Sequence, residues 1–281
     1  MARSIYIASP NAGTGKSTVA LGLVSCLTKV VAKVGVFRPF VESREGDAFL
    51  SLLLNRAGST TPPEQCVGAT WDEFHADPEE ALARIVDAYR ALAREHDVVI
   101  IDGSDFTDVA GNPELALNAR VAANIGVPVL LVVSGQNDVE DVVASVEVSM
   151  AEIADNHART VAVVANKCLP ETRQAIGEAL TAIEGITSTT LPEVPLLAAP
   201  VVREVLDAVE GTLIAGDETL LDREAESVLV CAMDVSHVLE RLTAGQLAIV
   251  PADRSAMLIS LMAAQASSSF PILSGLILNG G

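Results

Sequence analysis

Residues Ser9–Thr18 place glycines, a lysine and hydroxyl side chains between a short apolar run and an amphipathic segment. In a loop of this kind, glycines let backbone amides turn around a polyphosphate. The lysine reaches the β- and γ-phosphates, and a serine hydroxyl, here that of Ser17, binds Mg²⁺. The predicted contacts to a nucleotide cofactor (ATP or a related nucleotide, with Mg²⁺) are Gly13, Thr14, Gly15, Lys16, Ser17 and Thr18.

The loop departs from the common phosphate-binding pattern at one position, because Pro10 stands where a first glycine is usual. The alternative is a glycine-rich turn between a strand and a helix that binds nothing. If the loop does bind phosphate, Lys16 is expected to be largely exposed without ligand. Its replacement by alanine should then remove affinity and leave the fold intact.

Further polar residues stand at the ends of apolar runs. Asp102 is a predicted Mg²⁺ ligand through water, or an ordinary turn aspartate. Arg38 can reach a phosphate or a carboxylate. The side-chain amide of Asn166 can accept from and donate to an adenine edge, or simply form a turn. Asp47 is a further candidate for metal or substrate binding.

The elements that must position these residues alternate along the chain: short β-branched runs are separated by longer amphipathic segments. This rhythm predicts an α/β fold with a doubly wound, mostly parallel sheet of the P-loop NTPase type. The predicted strands are Ser4–Ala8, Val34–Phe40, Val98–Asp102, Pro128–Ser134 and Thr160–Ala165. The predicted helices are Gly15–Val31, Pro78–His96, Glu114–Ile125, Asp138–His157, Glu171–Ile183 and Pro200–Val209.

The rhythm changes after Gly211, where an acidic stretch precedes two more apolar runs that flank a predicted helix at Ser255–Ala266. We therefore expect two domains, 1–212 and 213–281, the second a smaller α/β unit. An apolar run leads directly into Gly280 and Gly281. Since domains rarely end in this way, the second unit is expected to be incomplete.

Composition limits the classes of partner. Of 281 residues, 50% are hydrophobic and 20% charged, so a sizeable core can be buried. With 18 basic and 37 acidic residues the net charge is −19, which repels nucleic acid and anionic membranes. The first fifty residues reverse the sign, with six basic against three acidic side chains. This local excess favours a small anionic ligand.

Cysteine spacing and hydropathy indicate the compartment. The four cysteines lie far apart, without the spacing of a zinc site, and are typical of reduced thiols. The run Ile5–Ala8 is too short for a signal peptide, and the longest apolar stretches have the length of strands. We therefore predict a soluble, cytoplasmic protein.

Several of these motifs together resemble a known family. The loop Pro10–Ser17, the Phe-Arg-Pro-Phe run at 37–40, the Val-Val-Ile-Ile-Asp-Gly run at 98–103 and Asn166-x-x-x-Pro170 resemble the dethiobiotin-synthetase-like P-loop domain. Segments 251–254 and 275–281 look like the start of a DRTGG domain. That succession is similar to the N-terminal part of long-form bacterial phosphate acetyltransferases.

The resemblance implies a regulatory and assembly role. In that family a separate C-terminal domain converts acetyl-CoA and phosphate to acetyl phosphate and CoA, so this chain is not expected to carry the catalytic residues. The implied partners are a nucleotide, the acetyltransferase domain and further copies in a homo-oligomer. The alternative is a dethiobiotin-synthetase-like ATP-dependent ligase or ATPase, although that enzyme has lysine where Arg38 stands. A partitioning-type ATPase carries a second lysine early in the loop, where this chain has Asn11.

Overall fold

The structure is a computed structural model that describes residues 3–104 and 114–280. Contacts divide the chain into two compact units, Met1–Glu193 and Val194–Gly281. The domain boundary expected at 212/213 stays a prediction.

The first unit is built on a parallel sheet of seven strands in the order β3-β2-β4-β1-β5-β6-β7. The predicted doubly wound α/β class is confirmed. The strands are β1 (Arg3–Ala8), β2 (Val34–Val41), β3 (Val67–Thr70), β4 (Val98–Asp102), β5 (Val129–Ser134), β6 (Thr160–Cys168) and β7 (Thr187–Pro192).

Helices connect these strands. Their bounds are α1 (Lys16–Leu27), α2 (Ala48–Ala57), α3 (Trp71–Ala76), α4 (Pro78–Ala93), α5 (Glu114–Ile125), α6 (Val139–Asp155) and α7 (Arg173–Thr181). The helix α4 shows how sequence sets such an element. The Asp77 side chain accepts from the Glu80 amide, Pro78 begins the helix, and an apolar stripe from Ala81 to Leu92 is buried.

The core lies where the central strands are covered by helices. Ile100 and Ile101 of β4 and Val129 and Leu131 of β5 are fully buried. Side chains on both faces of these strands are buried, which explains why they read as continuous apolar runs. The five predicted strands are present, and β6 continues beyond its predicted end at Ala165 to Cys168. That extension includes Asn166.

The second unit contains a parallel sheet of three strands in the order β10-β9-β8. The strands are β8 (Ser227–Val230), β9 (Gln246–Pro251) and β10 (Gly275–Asn279), and the helices are α8 (Val202–Ala208), α9 (Val235–Leu239) and α10 (Ser255–Gln265). Val238, Val250 and Leu261 lie in its small core. Across the described parts of both units, no helix is long and apolar enough to cross a membrane.

Candidate functional site

The loop between β1 and α1 turns at two glycines just before the helix begins. Gly13 and Gly15 adopt left-handed conformations, with φ of 77° and 80°, which glycine reaches without steric cost. Gly15 caps α1 without a side-chain hydrogen bond, and the first turn of the helix contains no acidic residue. The positive end of the helix dipole therefore meets no negative side chain of its own first turn, as a bound phosphate would require.

Lys16 is buried, with 1% of its side chain exposed. Its Nζ atom donates to Asp102 Oδ1 at 2.5 Å and to the carbonyl oxygen of Gly103 at 2.6 Å. The expectation of an exposed Lys16 is therefore wrong. The reason lies in the sheet order: β1 pairs with β4 so that Ile7 stands opposite Asp102, which brings a carboxylate within reach of the loop lysine.

Asp102 lies between two cations. Its side chain is fully buried, Lys16 approaches Oδ1, and the Nε atom of Arg38 lies 3.3 Å from Oδ2. A single carboxylate therefore faces the charges of both Lys16 and Arg38. The two predicted phosphate-binding cations are thus already gathered around one anionic group.

Arg38 and Asp47 form the outer part of this arrangement. The guanidinium of Arg38 also pairs with Asp47 and lies over the Phe49 ring, 5.7 Å from its centroid. Asp47 caps α2, since its Oδ1 atom accepts from the Leu50 amide at 2.8 Å. The structure therefore shows Asp47 fixing the start of α2 and orienting Arg38. Its role as a metal or substrate ligand stays a prediction.

The remaining loop residues differ in exposure. Thr14 is buried, Ser17 is half-buried in the first turn of α1, and Thr18 is exposed. Asn166 reaches the loop from the end of β6, where its Nδ2 atom donates to the carbonyl oxygen of Thr14 at 2.9 Å. The amide thus uses at least one donor on the protein. All the predicted site residues lie on the side of the sheet where the carboxyl ends of the parallel strands meet.

Sequence reasoning missed the residues that hold the end of β4. Asn118 is fully buried, and its Oδ1 atom accepts from the Tyr6 hydroxyl at 2.7 Å and from the Ser104 amide at 3.0 Å. A side chain on Gly103 would lie 2.6 Å from the same oxygen. Burial raises the pKa of Tyr6 well above its usual value, and the charges of Asp102 and Glu114 raise it further. An asparagine within a helix gives no sequence signal of this role.

One cavity lies beside the candidate site, and a larger one lies away from it in the first unit. The first has a volume of about 260 Å³ and is lined by Arg38, Val41, Glu42, Ser43, Glu45, Gly46 and Asp47. The other, about 420 Å³, lies at the C-terminal ends of α5 and α6 and is lined by Arg120, Ala123, Asn124, Asp155, Asn156 and His157. The smaller cavity belongs to the candidate site because Arg38 and Asp47 line it.

Comparison with known proteins agrees with this architecture. A family model described as an AAA domain matches residues 3–206, and a model of the DRTGG domain matches residues 204–281. The phosphate acetyltransferase of Nitratidesulfovibrio vulgaris is 27% identical over 296 residues, covering 100% of this chain and 42% of that protein. The phosphate acetyltransferase of Synechocystis is 26% identical over 291 residues, covering 99% and 42%.

The chain thus spans about two fifths of the length of these curated relatives. Among solved structures, a putative plasmid partition protein from Borrelia burgdorferi bound to AMPPNP superposes with a TM-score of 0.50 and 15% identity. The match covers 77% of this chain and 93% of that one. At this level of identity the likeness describes the fold alone.

Proposed function

The chain belongs to the AAA domain family, and on this premise we propose that it is the nucleotide-binding regulatory and assembly region of a phosphate acetyltransferase. The similarity to the N-terminal part of those enzymes and the succession of AAA and DRTGG domains support the proposal. Acetyl transfer from acetyl-CoA to phosphate would take place in a separate C-terminal domain. The whole protein would act in the cytoplasm as a homo-oligomer.

One observation carries the nucleotide-binding part of the proposal: Lys16 and Arg38 converge on Asp102 beside a loop whose helix N-terminus carries no acidic side chain. Two buried or half-buried cations and a helix dipole at one sheet edge form a site for a polyphosphate. Ligands of open α/β sheets bind at this edge.

The residues present fit a nucleotide with Mg²⁺. Lys16 and Arg38 would hold the phosphates, the amides of the loop would surround them, and Asn166 would face the base. Ser17 and Asp102 would hold the metal, which when bound neutralises phosphate charge. Asp102 would also position both cations, since Lys16 and Arg38 each lie against one of its carboxylate oxygens.

A second candidate function is ATP-dependent ligation or hydrolysis of the dethiobiotin-synthetase type. The cavity of about 260 Å³ beside Arg38 favours it, since a ligase needs room for a second substrate next to the phosphates. Arginine at position 38 opposes it: a guanidinium is a fixed cation, whereas a lysine amine can take part in proton transfer.

Titration calorimetry with ATP, with and without Mg²⁺, tests the proposal on this chain. We expect ATP to bind, more tightly with Mg²⁺, and we expect no formation of acetyl phosphate from acetyl-CoA and phosphate. Failure to bind millimolar ATP would contradict nucleotide binding, and acetyl phosphate formation would contradict the regulatory role. Steady release of phosphate from ATP would favour the second candidate.

A further inference from the structure

We propose that Lys167, together with Asn166, is a positioning residue that sets the direction of the amides in the phosphate loop. This inference rests on the proposed nucleotide site and extends it to a residue that sequence reasoning did not single out. The two residues are adjacent on β6, and each side chain bonds a different carbonyl of the loop.

Two neighbouring residues of β6 contact two neighbouring residues of the phosphate loop. Lys167 Nζ donates to the carbonyl oxygen of Gly13 at 2.7 Å, and Asn166 Nδ2 donates to the carbonyl oxygen of Thr14 at 2.9 Å. Gly15 allows this close approach, because a side chain there would lie 2.3 Å from Asn166 Nδ2. The loop backbone and the end of β6 are therefore joined at two neighbouring peptide groups.

These bonds fix where the loop amides point. In a trans peptide the carbonyl and the N–H of the next residue face opposite ways. With the carbonyls of Gly13 and Thr14 drawn toward β6, the amides of Thr14 and Gly15 turn away from it. Within residues 3–104 and 114–280, neither amide donates to a backbone or side-chain acceptor. Successive amides on one side of a turn form an anion-binding concavity.

The backbone around Lys167 is held in a conformation suited to this task. Lys167 has φ of 59°, in the left-handed region that few residues other than glycine adopt. The Gly135 amide donates to the carbonyl oxygen of Asn166 at 2.6 Å. On the other side, the pairing of β6 with β7 shifts register between Ala165 and Cys168. Strained backbone and strand irregularities of this kind are found at sites where the direction of a side chain must be fixed.

The test uses inorganic pyrophosphate and ATP as calorimetric probes in the presence of Mg²⁺. Lys167→Met removes the donor and keeps the length of the side chain, whereas Lys167→Arg keeps a donor. Lys33→Met is the matched control, since Lys33 is exposed before β2 and its loss changes the net charge equally. Asn166→Ser, whose side chain is too short to reach the Thr14 carbonyl oxygen from the same position, provides a second variant.

We expect Lys167→Met to weaken both probes by about tenfold or more, because one charge-assisted bond to the loop is lost. Asn166→Ser should act in the same direction, Lys167→Arg should retain most of the affinity, and Lys33→Met should stay within about twofold of wild type. Thermal unfolding of the unliganded Lys167→Met and Lys33→Met proteins should be alike, so a general loss of stability would not explain the result.

Two results overturn the inference and leave the proposed function standing. One is wild-type pyrophosphate affinity in Lys167→Met or, if that variant does not fold, in Asn166→Ser. The other is an equal loss of affinity in Lys167→Met and Lys33→Met. If wild type itself binds neither probe, the proposed function fails and this inference fails with it.

Discussion

The ammonium of Lys16 lies 2.5 Å from Asp102 Oδ1, and both side chains are buried. The cation that we propose to bind phosphate is thus paired with a carboxylate of the same chain. Arg38 faces the other oxygen of that carboxylate at 3.3 Å. In the proposed nucleotide site, phosphate oxygens would therefore compete with Asp102 for both cations, and a Mg²⁺ ion near Asp102 would weaken that competition by its charge.

Asp102→Asn should raise the affinity for metal-free ATP by roughly tenfold, because an amide competes less well than a carboxylate for Lys16 and Arg38. The gain in affinity on adding Mg²⁺ should shrink in the same variant. Calorimetry in EDTA and in Mg²⁺ measures both. Asp97→Asn, at an exposed position before the same strand, is the control for net charge. An unchanged effect of Mg²⁺ in Asp102→Asn would contradict the assignment.

Lys16→Ala should lower the free energy of unfolding by roughly 3 kcal/mol, since it removes one of two cations facing a buried carboxylate. The double variant Lys16→Ala/Asp102→Asn should lose less, because the carboxylate charge is removed together with the cation. Urea unfolding of wild type, the two single variants and the double variant measures the coupling. Additive effects would show that the pair contributes nothing to stability.

Gly103→Ala should destabilise the fold by about 1–3 kcal/mol, because the added carbon would lie 2.6 Å from Asn118 Oδ1 and 2.7 Å from the Ile7 carbonyl oxygen. The second contact is with backbone that cannot easily shift. Gly22→Ala in α1 is the control: nothing lies within 4 Å, so alanine should stabilise that helix by about 0.8–1 kcal/mol. Thermal and urea unfolding compare the two. Equal stability of both variants would refute the close packing at Gly103.

Tyr6 should make stability depend on pH in the alkaline range. Burial, with the charges of Asp102 and Glu114, raises its pKa in the folded protein above the usual 10.0. The neutral Tyr6 hydroxyl therefore makes its full contribution to the free energy of unfolding below about pH 10. That contribution is lost as the pH rises from there toward the pKa of Tyr6 in the folded protein. Urea unfolding from pH 9 to 11 should show a steeper loss for wild type than for Tyr6→Phe. The Cys66 thiol, whose pKa burial raises to about 11, contributes equally to both proteins. Identical slopes would contradict the assignment.

The central strands of the sheet could be predicted from hydropathy, whereas the two outermost strands could not. The five central strands are continuous apolar runs because helices cover both faces. At one edge of the sheet, β7 carries threonine and serine and is partly exposed, so it lacks that pattern. At the other edge, β3 is only four residues long and contains a glycine. Neither strand was predicted.

The sequence could predict which residues belong to the candidate site, but not how they contact one another. Asp102 ends β4, and Arg38 and Asn166 lie in the C-terminal halves of β2 and β6. Because the carboxyl ends of parallel strands lie together, the sequence could place these three residues in one site. The pairing of Lys16 with Asp102 could not be predicted, since it depends on β1 lying beside β4, which is a property of strand order. Lys167 was missed because no sequence pattern predicts that a lysine will adopt the left-handed backbone conformation.

The place of β1 in the sheet has a consequence for synthesis of the chain. β1 lies between β4 and β5, and its first register partner is Val98, opposite Arg3. On the ribosome, the phosphate loop therefore emerges attached to a strand with no neighbour until about a hundred further residues are made. At ~5–20 residues per second this wait lasts roughly 5–20 s. During that interval β1 lacks both of its neighbours in the sheet, and Lys16 cannot pair with Asp102 before β4 has been made.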